Sequence, residues 1–483
     1  MVTYQDLIAV GDNETDRIEF IRSAINQWQA SDLYKTAEIA DKYDRKLSPD
    51  ISQYTKMLYT VTGRQIPDTW SSNYKVGRHF FPFFITQENQ YLLSNGVTWE
   101  NSATKDKLGT KKAEFDTMLQ DAGHAALSGA VSFGFWNFDH LEVFNALEFV
   151  PMFDEENGAL MSGIRYWQID SSKPLRATLY EIDGCTDYIW NRRHEGNESH
   201  EYGEILHAKR PYKIKATGTD VDAEKIYQGE NYPTFPIVPL WGNKKHQSEI
   251  VGLREQIFVY DMIKSGFCNS VEDASYIFWA IHNAPGMDDV SLAEFMGRVR
   301  KLHVAVTEET GSDAVPQQLE APYASREALL DRLEHDLFDD AMAFNPKDVK
   351  SGAVVTAQIR AAYTNLDMKV NDFEYCVRSF INAILELAGI DDNPTFTRSV
   401  IINQAEEIQT VLQAASSLDD EYVTKKVLTI LGDGDQAEEI IKRKIEDEVT
   451  RQRDEEEQMR QEEQRQLEQR QFEQSENPGG DNE

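Results

Sequence analysis

The stretch FNPKDVKSGAVV, residues 344–355, sets Lys347 and Lys350, with the single acid Asp348, in a polar break between two apolar-periodic segments. A lysine there brings a mobile point charge and not a fixed fork, and a polar, partly basic loop between two helices is usually a plain surface connection. Other reactive groups lack the spacing they would need. His194 and His200 are six residues apart, whereas two imidazoles share a helix face at a spacing of four. Cys185, Cys268 and Cys376 have no C-x-x-C partner, so no zinc site is expected. The run LGTKK at 108–112 lacks the upstream glycine of a phosphate loop, and no G-x-S-x-G elbow occurs. The acid pairs Asp339-Asp340 and Asp391-Asp392 fall at helix ends, where capping or solvation accounts for them. No catalytic residue, metal or cofactor is expected, and the chain is read as a non-enzyme.

The chain's 483 residues are enough for two to four domains with substantial cores. Its 83 acids against 49 bases give a net charge of −34, without the basic footprint of a sequence-specific DNA binder. Three scattered cysteines fit a reducing cytoplasm. The start, MVTYQDLIAVGDNETD, has no basic segment before an apolar one, so no secretory signal is expected. No apolar run reaches the roughly 18 residues of a membrane helix, and a soluble protein with no membrane partner is expected.

The elements around the break follow from periodicity. Upstream, Leu329, Leu333, Leu337 and Met342 recur near a 3.6 period, and downstream AVVTAQIRAAYTNLDMKVNDFEYCVRSFINAILELAG is helical. Pro346 and the pair Ser351-Gly352 interrupt it. Residues 1 to about 75 are expected to be mainly helical, SNYKVGRHFFPFFITQENQYLLSNGVTW a second helical run, and LGTKKAEFDTMLQDAGHAALSGAVSFG a helix pair. From Phe135 to Leu240 alternation predicts strands, with Pro236 and Pro239 marking an edge strand or extended crossing segment.

HQSEIVGLREQIFVYDMIKSGFCNSVED predicts a long helix with Ser248 as N-cap. Its stripe of Ile250, Leu253 and Ile257, broken at Asp261, is thin for a helix buried in its own subunit and suits sideways packing against copies of itself. Two strand candidates flanking the helix VSLAEFMGRVRK make a small α/β insert closed by Pro322. From about Pro394 the chain is expected to be helical. Its last run carries acid-base pairs Glu438 with Lys442, Glu439 with Arg443 and Glu456 with Arg460, and after Val449 only Met459, Leu467 and Phe472 are apolar. That run is a solvated helix, a weak ring-forming helix, or disordered.

In this order the segments resemble the portal proteins of tailed double-stranded DNA bacteriophages, the family of long-tailed phages of Gram-positive hosts in particular, over roughly residues 15 to 450. YKVGRHFFPFFITQENQYLLSNGVTW resembles the family's helix ending in tyrosine-leucine-glycine-valine, with Ser94-Asn95 intervening before Gly96. AGHAALSGAVSFGFWNFD resembles its small-residue helix and strand, and Pro151, Asp154 and Ile164-Arg165-Tyr166 its strand pair. FPIVPLWGNKKHQSEIVGLREQIFVYDMIKSGFCN is similar through Asn243, Ser248-Glu249, Tyr260-Asp261, Ser265 and Asn269. VKSGAVVTAQI resembles the stretch that opens the long helix after the channel loop. SSLDDEYVTKK and the Gln/Glu/Arg-rich end depart from the family's pattern.

The resemblance implies an α+β portal fold assembling into a dodecameric ring at one capsid vertex. It implies an N-terminal helical segment (1–50), a helical and β wing (51–245), stem helices (246–270 and 323–342), a small α/β clip (271–322) and a channel loop (343–352). A long wing helix (353–395), a helical crown (396–450) and a charged tail (451–483) complete it. The implied DNA-facing residues are Asn345, Pro346, Lys347, Asp348, Val349 and Lys350. The implied partners are copies of itself, double-stranded DNA, the terminase large subunit, the head-tail adaptor, and the major capsid and scaffolding proteins. The implied location is the virion, with assembly in the host cytoplasm.

Twelve copies would carry about −400, repelling phosphates within a Debye length of about 8 Å and keeping the duplex from sticking. Two alternatives remain at this stage. One is another capsid or neck component, such as a scaffold, without a DNA channel, although scaffolds are mostly extended helix; the other is a phage DNA-processing enzyme, which would show a nucleotide or metal site.

Overall fold

A computed structural model describes residues 2–59, 63–69, 71–101, 103–109, 114–195, 198–219, 225–274, 278–282, 313–317, 323–349, 356–399, 404–415, 419–431 and 437–475. The chain forms two compact units, one of Met1–Pro346 with Ala362–Ser399 and one of Lys347–Ala361 with Val400–Glu483.

The first unit opens with helices α1 (Tyr4–Val10), α2 (Glu14–Ala30), α3 (Asp32–Asp44) and α4 (Pro49–Gln53). Thr3 and Asp6 form a capping box at α1, and the Asn13 side chain caps α2. Helical content ends sooner than expected: strands β1 (Met57–Tyr59) and β2 (Gln65–Pro67) pair as a hairpin. Residues 71–79 form neither helix nor strand, and only Phe80–Leu93 is helical, as α5. After β3 (Val97–Trp99) come α6 (Ala103–Leu108) and α7 (Phe115–Gly129).

The β zone forms two sheets. One has the order β13-β4-β5, from Ile237–Trp241, Val131–Asn137 and His140–Asn145; the other, β10-β9-β8-β7-β6, comprises Glu198–Arg210, Gly184–Glu195, Leu175–Glu181, Leu160–Trp167 and Phe149–Phe153. All neighbours pair antiparallel. On one side of the larger sheet α2 buries Ile21, Ala24, Ile25 and Trp28, one helical stripe, against Met152, Ile164 and Tyr188. A second cluster joins the two sheets, with the Phe133 and Phe149 rings 4.4 Å apart. A separate hairpin, β11 (Lys213–Thr219) with β12 (Lys225–Glu230), completes the zone.

The prolines of β13 have the edge position expected of them. The bonds Trp136 N–H to Pro236 O and Gly242 N–H to Ala130 O bracket the pairing. Pro239, at a non-hydrogen-bonded position between them, therefore turns its donor-less nitrogen to the open edge.

Helix α8 (Arg254–Ala274) and α9 (Tyr323–Asp340) run antiparallel, since Gln256 bonds Asp340 at one end and Arg326 bonds Ser270 at the other. Between them, β14 (Phe278–His282) pairs with β15 (Asp313–Gln317). The expected insert helix lies outside the described residues, and of the second strand candidate, 302–322, only Asp313–Gln317 is described.

One sequence reading is corrected here. Ser248 is not the N-cap, because α8 starts at Arg254; its hydroxyl instead donates to Ser128 O and accepts from Ile250 N–H in a turn. Asp261, the polar residue that interrupts the apolar stripe, is buried.

Helix α10 (Thr356–Ala388) buries Tyr363, Leu366, Val370, Phe373, Val377, Phe380 and Ile384, spaced by threes and fours, against the unit's core. Gly134 in β4 leaves room for the Phe380 ring, which a Cβ there would overlap. Pro394–Phe396 is a strand, β16, instead of the expected helix, because it pairs with β3.

In the second unit, α11 (Gln404–Ala414) packs on α12 (Asp420–Leu431), and α12 on α13 (Ala437–Ser475). Val423 and Ile441 are buried, whereas Val449, Met459 and Leu467 are exposed. Glu439 pairs with Arg443, as their spacing predicted.

Candidate functional site

The polar break begins where α9 is stopped. Met342 takes a left-handed conformation (φ 52°), and Ala343 N–H turns back to Phe338 O at 2.9 Å. The next residue is held by a side chain acting as a strand partner: Phe344 N–H donates to Gln87 Oε1 at 2.9 Å, and Gln87 Nε2 donates to Phe344 O at 3.0 Å. The Phe344 ring lies parallel to that of Tyr363 at 4.3 Å, and Tyr363 stacks in turn on Tyr91 at 5.4 Å.

Asn345, expected on the exposed segment, is buried, because Phe344 beside it is drawn into the unit. Exposure begins at Pro346, which opens a 3-10 turn over Pro346–Val349, a position suited to its fixed φ. Lys347 is exposed. Asp348 and Val349 are described in backbone only, and Lys350 lies outside the described residues.

A buried ionic hub sits behind this exit. Lys369 on α10 places Nζ 2.8 Å from Glu88 of α5, 2.7 Å from Glu249 and 3.1 Å from Ala341 O at the end of α9. Burial works against the ammonium charge, but the two carboxylates overcome it and hold the Lys369 pKa above its ordinary value. Burial pushes Glu88 up; Lys369 pulls it back only in part, and Glu249 pushes it further. Asn243 bonds Glu249 Oε1 and so orients that carboxylate.

A second polar device holds α8. Asp261, Ser265 and Asn269, four residues apart on one face, accept from the N–H groups of Arg78, Val76 and Tyr74 at 2.7, 2.9 and 2.7 Å. Four helical residues rise about 6.0 Å and two extended residues about 6.6 Å, so a helix at spacing four registers with a strand-like segment at spacing two. At the base of α8, Arg254 grips both oxygens of Asp50 at 2.7 and 2.8 Å, and Tyr43 OH donates to the same carboxylate at 2.8 Å.

Helix α5 serves all of these elements. Its first turn packs Phe80 on Tyr260 of α8 and Phe84 on Phe338 of α9. Its middle supplies Gln87 and Glu88. Near its end Tyr91 OH donates to Asp367 at 2.7 Å, and Tyr91 O accepts from Ser399 N–H at 3.0 Å. Arg398 binds Asp367 and Glu374, each at 2.8 Å, where the chain leaves for the second unit.

Sequence reasoning singled out Asn243, Ser248-Glu249, Asp261, Ser265 and Asn269 but gave them no partners. It missed Gln87, Glu88, Lys369 and Tyr363, whose only local signal is a polar or aromatic residue on an otherwise apolar helix. Among the described residues no cluster of His, Cys, Asp or Glu is arranged to hold a metal, and no helix is long and apolar enough to cross a membrane. The arrangement is suited to fixing two helix ends and the point where the chain turns outward at Pro346.

A model of the family described as phage portal protein, SPP1 Gp6-like, matches residues 69–458. The chain is 23% identical to the portal protein of Bacillus phage SPP1 over 396 residues, 76% of this chain and 75% of the relative. It is 23% identical over 212 residues to the portal protein of Clostridium phage phiCD119, 42% of this chain and 47% of the relative. Solved structures similar to it include the neck of a native gene transfer agent particle, at TM-score 0.36 and 10% identity, covering 71% of this chain and 87% of that one. The virion of a native gene transfer agent particle is similar at TM-score 0.40 and 10% identity, covering 72% and 87%.

Proposed function

The chain belongs to the SPP1 Gp6-like phage portal protein family, a structural component of the virion, and on that premise we propose that it forms the DNA-conducting ring at one capsid vertex. In this reading twelve copies assemble with α8 and α9 as the stem around the channel. The insert between those helices is the clip, which docks the terminase large subunit during packaging and the head-tail adaptor afterwards. Residues 396–450 contribute the crown and 451–483 the tail, and residues 51–245 with the long helix over 353–395 the wing. The capsid and scaffolding proteins surround the ring, and the DNA leaves through the same channel.

One observation carries the reading. Two antiparallel helices bear the clip strands at one end, and at the other the chain emerges as an exposed turn carrying Lys347. Lys347 and Lys350 would meet phosphates briefly in a channel otherwise dominated by acids, each contact weak enough to let the duplex slide. The test is a packaging assay on purified heads with both lysines changed to Glu. Assembly should be intact, while packaging rate or DNA retention should fall further than in the double Ala variant and recover partly with salt. Wild-type packaging and retention by the Glu variant would remove these lysines from the channel.

A further inference from the structure

We propose that Gln87 and Lys369 are positioning residues for the segment that follows Phe344: they fix the point and direction in which the chain leaves the first unit, and without them that exit would not be unique. Four observations meet at this point. Gln87 occupies both the donor and the acceptor of Phe344's backbone, as a neighbouring strand would. Lys369, almost wholly enclosed, holds the terminal carbonyl of Ala341, three residues upstream. The same ammonium holds Glu249, close ahead of α8, so both stem helices are referred to one atom. Glu88, next to Gln87, anchors that ammonium from α5, so the segment's root, α8 and α9 share one rigid helix.

A buried charge needs such partners or it costs several kcal/mol. The hub is therefore an all-or-none arrangement and not a graded spring. Its value to the protein rests on the channel reading above, but its existence can be tested without DNA.

The experiment is amide hydrogen exchange on the assembled protein, read by mass spectrometry over peptides spanning 341–349 and over β4 and α2 as internal controls. Gln87→Met keeps the side-chain volume and removes both bonds to Phe344. Because Lys369→Met alone would strand two carboxylates, the triple change Lys369→Met, Glu88→Gln, Glu249→Gln is its companion. Each variant is expected to exchange about tenfold faster over 341–349, the scale of one buried hydrogen bond lost, with β4 and α2 unchanged. Unchanged exchange at 341–349, or a uniform rise throughout the unit, overturns the proposal. Faster local exchange with normal packaging by the same heads supports the positioning role and counts against the channel reading. Unchanged exchange together with a packaging defect in the lysine variants does the reverse.

Discussion

The rings of Phe344 and Tyr363 lie parallel, 4.3 Å apart and within 5° of coplanar. Phe344 stands just before the chain leaves the first unit at Pro346, and Tyr363 just after it returns at Ala362. The excursion over 347–361 thus begins and ends at one pinned point.

That pair should be costly to break. Phe344→Ala is expected to lower unfolding stability by about 3–5 kcal/mol, the range for a large ring removed from a core. Phe344→Leu should cost less, because it keeps most of the volume. Denaturant melts of the two variants check this, and equal midpoints for wild type and the Ala variant would mean the ring is not seated as described.

Asp261 gives a pH signature. Burial pushes its carboxyl up to about 7, and the Arg78 N–H and Lys264 pull it only partly back. A carboxyl whose folded pKa is raised stabilises the fold fully below its unfolded value of about 4, and that contribution is lost as pH rises through 7. Asp261→Asn keeps an acceptor for Arg78 N–H and cannot ionise. Its melting temperature relative to wild type should therefore improve between pH 5 and pH 8. Parallel pH profiles for the two proteins would remove Asp261 as the source.

Gly77 lies in the segment that α8 captures. A Cβ there would fall inside the contact distance of Ser48 Oγ. Gly77→Ala should cost about 1–3 kcal/mol through overpacking. Adding Ser48→Gly should restore much of it, since that removes the obstructing hydroxyl at a residue already in a left-handed conformation (φ 43°). Thermal melts of single and double variants decide it; additive losses would place the strain elsewhere.

The proposed clip should be separable. Phe267 and Tyr323 rings meet at 5.6 Å and Arg326 bonds Ser270, so the two helices are already held together where the insert starts and ends. Replacing Val271–Pro322 by a short Gly/Ser bridge should leave the wing folded while abolishing terminase binding in a pull-down. Loss of the wing's circular-dichroism melt would show that the insert belongs to the same folding unit.

Much of this architecture is legible locally. Pro346 announces the end of the helical run, alternation announces the β zone, and the threes and fours from Tyr363 to Ile384 announce α10. What local patterns miss is polar matter satisfied at long range. Residues 71–79 look helical beside Phe80–Leu93, yet the backbone of Tyr74–Arg78 is claimed by side chains from α8. Asp261 looks like a gap in a stripe for the same reason. Glu88, Glu249 and Lys369 are too far apart in sequence for any window to join them, and Asn345 looks exposed until Gln87 is seen to seat its neighbour.

The open edge of β13 has a consequence for crowding. A strand with free donors and acceptors along one side invites another chain's backbone, and identical chains brought close together can extend such pairing without limit. Pro239 withholds a donor at the centre of that edge, so an incoming strand could not complete its ladder there. In the ring proposed above, where copies of the chain stand side by side, this would steer assembly from runaway fibre growth towards contacts between shaped side-chain surfaces, which can close on themselves and stop.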